Sequence, residues 1–358
     1  MCIEMVRFGL LNVTAGAVES LSSTGPVRLL SLAVGIGCLS VAIVDLFWTI
    51  LWDDKGAGPL SSRLMISAWH RLRTLGDERD QGLSIGGPLI LALNLLVWVG
   101  LIWLGWTLVF AGSEDALVHS RPTGPVTWIG RFYFVAQTMF TMGNGDFYPG
   151  SSLWQVAAAL TTASGMLFVT LGVSYVISVL DGVTGRRSYA NSVLGIGKRG
   201  ETFVTTGWNG EDFDQFDHLL DTLSAELSDL GAQHKIHPIL HYYHSDELLD
   251  SSARAVVVFD EALTLLRFGV PEEHRPNDAL IASARSNAES YLNAYTDTIE
   301  PADQVPPAPD LDHLREAGVP TVSDAEFADA LADLDERRRQ LRAVIEASGR
   351  EWPSGSDD

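Results

Sequence analysis

Three stretches of the chain lack the alternation of polar and apolar positions that marks a half-buried strand or a surface helix. The first runs from Leu29 to Trp52 and carries one charge, Asp45. The second lies in the uncharged stretch between Gln81 and Ser113, with Pro88 to Gly112 its most apolar part. The third lies between Asp146 and Asp181, with Ser152 to Leu180 its most apolar part. A helix needs about 20 mostly apolar residues to cross a bilayer, so each stretch predicts a membrane-spanning helix. The first is too long for a signal-peptide core, and no small-residue cleavage site follows it, so it reads as a retained helix. Residues 126–140, VTWIGRFYFVAQTMF, are apolar and aromatic but too short to span.

Beyond residue 210 the pattern changes. Apolar residues recur at helical spacing near 212–230, 238–250, 253–268, 277–296 and 323–348. Ser323 and Glu326 form a capping box at the start of the last segment. Residues 299–310, with Pro301, Pro306, Pro307 and Pro309, read as a linker. Arg337, Arg338 and Arg339 suit an exposed or coiled-coil helix.

Composition separates the same two parts. The chain of 358 residues carries 45 acids against 24 bases. Residues 1–200 hold 12 acids and 13 bases, and residues 201–358 hold 33 acids and 11 bases. The acidic balance excludes a nucleic-acid binder with a basic footprint. Two cysteines, Cys2 and Cys38, exclude a disulfide scaffold and a paired-cysteine metal site. No nucleophile–base pair, zinc motif or phosphate loop stands out, so no enzyme activity and no bound cofactor is expected.

Bases in short connections set the orientation. Lys55, Arg63, Arg71, Arg73 and Arg79 lie in the 53–86 connection, and Arg186, Arg187, Lys198 and Arg199 follow the third span. The 113–126 connection has only Arg121. The 53–86 connection and the C-terminus are therefore expected on the cytoplasmic side of the cell membrane. The N-terminus, despite Arg7 and Arg28, and the 113–151 region are expected outside. Trp52, Trp103 and Trp106 suit interfacial positions.

Directly after the short apolar segment comes Thr141-Met142-Gly143-Asn144-Gly145-Asp146, then Phe147, Tyr148, Pro149 and Gly150. Irregular backbone at membrane depth survives only where protein buries it or it lines a water-filled path. Glycine allows positive φ, so alternating glycines turn successive carbonyls toward one side. A short helix ending there points its negative dipole end at the same place. Dipole, carbonyls and a threonine hydroxyl together make a cation site.

Residues 133–149, YFVAQTMFTMGNGDFYP, resemble the pore helix and selectivity filter of tetrameric potassium channels, whose filter reads T-V-G-Y-G-D. Tyr133 and Phe134 match the aromatic pair that supports the filter. Thr141 matches the filter threonine, Gly143 and Gly145 the glycines, and Asp146 the acid behind them. The resemblance covers residues 88–181 as outer helix, pore loop and inner helix. It implies K⁺ as permeant ion at the carbonyls of Thr141, Met142, Gly143, Asn144 and Gly145, and no structural metal. Met142 replaces valine or isoleucine, and Asn144 replaces tyrosine, whose ring braces the filter in the family. A weakly selective cation channel is therefore the first alternative, and a non-conducting membrane scaffold or sensor the second. Gly165 lies near the family's inner-helix hinge glycine, and Gly172 is a second flexible point; close helix packing explains either glycine as well.

The whole then reads as an all-α membrane protein: three transmembrane helices, a re-entrant pore loop between the second and third, and a helical cytoplasmic domain. The divisions expected are an N-terminal arm (1–28), a first span (29–52), a connection (53–86), a pore module (87–182), a linker (183–210) and an acidic helical domain (211–358). One pore loop per chain implies a homotetramer, with lipid as the other partner.

Four further features have competing explanations. Asp45 within a span is a functional candidate that a base from 53–86 would neutralise, or that would bind the pore subunit. The first span lacks the repeated arginines of a voltage sensor. Residues 61–75 suit either an interfacial helix or one packed on the acidic domain. Gly195, Gly197 and Gly200 match G-x-G-x-x-G, but no strand precedes them and no βαβ alternation follows, so a flexible linker is expected instead. His234, His237, His241 and His244 fit a pH sensor or metal site, and equally packing and capping in a tyrosine-rich segment, the simpler account.

Overall fold

The computed structural model describes residues 25–51, 56–75, 85–121, 124–243, 251–293 and 299–353. Trp52 and His244 lie outside them. The chain forms two compact units, one holding residues 1–52, 57–68 and 89–177, the other residues 53–56, 69–88 and 178–358.

In the first unit, α1 is Pro26–Leu51, α2 Pro59–Leu75 and α3 Gly86–Ala111, α2 and α3 each extending into residues of the second unit. A strand β1 (Leu117–His119) follows, then α4 (Trp128–Met139), β2 (Phe147–Pro149) and α5 (Ser152–Leu194). Helices α1, α3 and α5 are long and apolar enough to cross a membrane. Helix α1 lies close against α3: a Cβ on Gly35 would stand 2.7 Å from the Gly105 carbonyl oxygen. Small residues allow such approach, and in lipid that contact replaces the missing hydrophobic drive between helices. The opposite side of α1 leaves Leu30, Val34, Val41 and Val44 exposed. Phe110 of α3 packs edge-on against Phe134 of α4 at 5.1 Å between centroids and lies 5.5 Å from the Trp154 ring of α5. The two strands pair antiparallel, with Val118 opposite Tyr148.

The third span is longer than hydropathy alone predicts. It continues unbroken to Leu194, and Tyr189, Ala190, Val193 and Leu194 enter the core of the second unit. That unit adds α6 (Gly200–Gly207), α7 (Asp217–Ile236), α8 (Ser252–Thr264), α9 (Asp278–Asn293), α10 (Leu311–Glu316), α11 (Asp324–Ala332) and α12 (Asp335–Ala347). Every residue of α8 is buried, so it is the axis around which the unit packs.

Residues 183–210 are not a flexible linker, because α5 and α6 occupy most of them and Phe203 and Val204 are fully buried. The glycine motif serves packing: a Cβ on Gly200 would stand 2.9 Å from the Glu261 Cβ, and one on Gly197 2.5 Å from the Phe203 amide nitrogen. The segment 323–348 is two helices, broken at Asp333 and Leu334. Arg337 and Arg338 are not exposed. Their guanidinium groups pair with Asp260 and Glu261 of α8. Within 238–250 only a 3₁₀ turn, Pro238–Tyr242, lies in the described residues.

His234 is buried, its Nδ1 3.0 Å from the Leu230 carbonyl, and its ring stacks edge-on with His241 and Tyr291. Burial, with Arg186 and His241 nearby, holds its pKa well below the usual imidazole value. Among the described residues no group of three or more His, Cys, Asp and Glu side chains is placed to hold a metal.

Candidate functional site: the turn after α4

Thr127 caps α4, its side chain accepting from the Gly130 amide at 3.1 Å. The helix ends at Phe140, and the backbone then alternates. Thr141, Gly143 and Gly145 have φ of 57°, 63° and 74°. Threonine rarely adopts this region, since its Cβ crowds the following carbonyl, so position 141 is strained and held by its surroundings.

Those surroundings are specific. The Thr141 amide donates to the Thr138 carbonyl at 3.2 Å, and the Met142 amide to the Gln137 carbonyl at 2.7 Å. The buried Gln137 side chain accepts from the Asn144 amide at 2.9 Å. The Asn144 side-chain amide donates to the Tyr133 hydroxyl, which donates to Asp146 Oδ2 at 3.2 Å. Ser120, beyond β1, donates through its amide and its hydroxyl to the Asp146 carbonyl, each at 3.0 Å. The turn is thus tied by hydrogen bonds to α4 and to the β1 side.

The sequence-predicted residues divide accordingly. Tyr133, Asn144 and Asp146 are brought together. Phe134 is not with them; it packs against Phe110. Gln137 was not expected in the sequence reading. Its signal was there, a lone amide one turn before Thr141 inside an apolar run. Residues Thr141 through Asp146 are exposed in the single chain.

Helix α5 supports α4 from the other side. Thr162 Oγ1 donates to the Thr138 carbonyl at 3.2 Å, and the Trp106 indole of α3 donates to Ser164 Oγ at 2.9 Å. Gly165 lies so close to the Met139 backbone carbonyl that a Cβ would collide with it. At Gly172 an added methyl would meet Leu95 at an ordinary 3.6 Å.

Among the described residues no base pairs with Asp45. It is 1% exposed and accepts from Leu60 N at 2.8 Å, Ser61 N at 3.2 Å, Ser61 Oγ at 2.5 Å and the Trp98 indole at 2.9 Å. The opposing donors are a helix N-terminus, a hydroxyl and an indole. Sequence separations of 15 to 53 residues hid them.

An ion channel family model matches residues 96–181, which hold most of α3, all of α4, the turn and α5 up to Asp181. A Bacillus subtilis (strain 168) protein carrying the name "Uncharacterized membrane protein YdjJ" is 41% identical over 320 residues, 89% of this chain and 94% of that protein. No solved structure matches the chain. With residues 96–181 matched by the ion channel model and its likeness to the Bacillus membrane protein extending over nearly its whole length, this chain is a member of the pore-loop ion channel family.

Proposed function

We propose that four copies of the chain surround a K⁺-conducting pore in the cell membrane, with residues 141–145 as its filter. The observation that carries this is the alternation of left-handed backbone at Thr141, Gly143 and Gly145 just beyond the C-terminus of α4. The negative end of a 12-residue helix faces that backbone, and carbonyls replace the hydration shell of an entering cation. Thr141 through Asp146 are exposed in one chain. At membrane depth such backbone needs protein or a water-filled path beside it, which a closed ring of copies supplies. The 53–86 connection and the acidic unit then face the cytoplasm, as the positive-inside rule orients them.

A weakly selective cation pore is the second reading, and Asn144 favours it. A hydrogen-bond brace through Gln137, Tyr133 and Asp146 stands where the family has a packed ring. Current through the reconstituted protein, with K⁺ on one side and Na⁺ on the other, separates the two. Reversal near the K⁺ equilibrium potential supports the first reading, and reversal near zero the second. Absence of current under any voltage, pH or calcium level supports a scaffold.

Tyr133→Phe removes the hydroxyl that joins Asn144 to Asp146. A hydrogen bond to a charged group contributes about 1.5–3 kcal/mol. The K⁺ over Na⁺ permeability ratio is expected to fall about tenfold, read from the same reversal potential. An unchanged ratio would mean that the brace does not set selectivity.

A further inference from the structure

We propose that Asp45 is a positioning residue: it caps α2 from a neighbouring helix and links the docking of α2, through Trp98, to Tyr175 on α5. The inference rests on the conduction reading for its effect on current, and on geometry alone for the linkage itself.

Helix α2 begins with Pro59-Leu60-Ser61 and has no acidic residue in its first turn. Its second and third amides, on Leu60 and Ser61, are those that an N-cap side chain normally satisfies. Asp45, two turns before the end of α1, accepts from both. The approach is close enough to require glycine at position 58, where a Cβ would collide with the Asp45 carboxyl. Thr49 strengthens the same grip, its hydroxyl accepting from the Gly58 amide at 2.9 Å and donating to the Asp45 carbonyl at 2.8 Å.

The carboxyl is buried in a span, and no base among the described residues pairs with it. A buried carboxylate without partners costs several kcal/mol. Here the donors are supplied by α2 and by Trp98 together, with the positive end of α2 adding to them. Neither contributor satisfies the carboxylate alone. Withdrawal of α2 removes Leu60 N, Ser61 N and Ser61 Oγ, and leaves the Trp98 indole as the donor among the described residues. Trp98 is fully buried, and its ring lies 5.8 Å from Tyr175, which is 2% exposed. Tyr175 stands one turn beyond Gly172 on α5, where an added methyl is accommodated. The state of the α2 cap therefore bears on a side chain of the helix that follows the filter.

The test uses the full-length protein in planar bilayers, with Asp45→Asn and Trp98→Phe. The second keeps an aromatic ring and removes only the indole N–H, so it carries the test if the first does not assemble. Each is expected to change the open-to-closed ratio by at least about tenfold, the equivalent of one hydrogen bond to a charged group. Single-channel amplitude stays the same, because the filter is untouched. An unchanged ratio in Trp98→Phe would overturn the proposal, as would variants that lower thermal stability with gating intact.

Hydrogen exchange gives a readout independent of current. Linkage is reciprocal, so Tyr175→Leu is expected to speed exchange of the Leu60 and Ser61 amides, as Asp45→Asn does. If wild-type protein passes no current, the conduction reading fails while this arm still decides the linkage. Unchanged exchange at Leu60 and Ser61 in Tyr175→Leu would overturn it.

Discussion

Gly165→Ala is expected to abolish conduction, or reduce it more than tenfold at equal protein amount. Alanine is the better helix former by about 1 kcal/mol, so on propensity alone α5 would gain. The space says otherwise. The new methyl would drive into the Met139 backbone carbonyl at the end of α4, and a backbone atom cannot swing aside as a side chain does. Overpacking of this kind costs about 1–3 kcal/mol. Relief requires the end of α4 to move away from α5, and with it Thr138, whose carbonyl Thr162 now holds. The turn begins three residues later. Gly172→Ala is the control, with room for its methyl beside Leu95, and is expected to assemble and conduct. Ion flux from liposomes, with tetramer yield measured on the same samples, checks both. Full conduction in Gly165→Ala would show that α4 is not seated by this contact.

The second large effect lies in the other unit. Arg338 is 3% exposed and joins three elements. Its Nε donates to Glu261 at 3.2 Å, Nη1 to the Pro306 carbonyl at 3.2 Å and Nη2 to the Pro307 carbonyl at 2.5 Å. Arg338→Ala takes this donor from the buried Glu261 carboxyl and Pro306 carbonyl, and from the part-buried Pro307 carbonyl. The expected loss is about 3 kcal/mol, seen as a lower thermal midpoint for the transition of this unit.

The same site predicts a pH dependence. Burial pushes the Glu261 carboxyl up from 4.5 to about 8, against the pull of Arg338. Between these values the folded state holds a proton that the unfolded chain has released. Stability therefore falls as pH rises from about 4.5 through about 8, and levels off above. Melting at pH 6 and pH 9 checks the sign, with the higher midpoint expected at pH 6. Glu261→Gln is expected to remove this contribution to the difference, because glutamine does not titrate.

What the sequence made legible was local. A run of apolar residues long enough to span needs no partner to be recognised, and the filter motif is contiguous. The misreadings came where one residue type serves two purposes. Gly195, Gly197 and Gly200 look like a loop because glycine loosens a chain in isolation. In the structure Gly197 and Gly200 are small because Phe203 and α8 come close. Arg337 and Arg338 look like a solvated face because charge is normally exposed. Their partners Asp260 and Glu261 sit 77 residues earlier, on a helix buried all round. Tyr133 and Asp146, which hydrogen bonds join to Asn144, were singled out by the motif. Gln137 was marked by its lone amide in an apolar run, but its partner, the Asn144 backbone amide, is set by the turn.

The unbroken course of α5 bears on how such a protein can be divided. Its last turns supply Tyr189, Ala190, Val193 and Leu194 to the core of the second unit. A fragment beginning at Glu201 would lack four core side chains and present their cavity to solvent. The acidic part is therefore not a self-contained cassette. Recombination that transplanted it without the end of α5 would deliver an incomplete fold, so pore and acidic unit are expected to be inherited together.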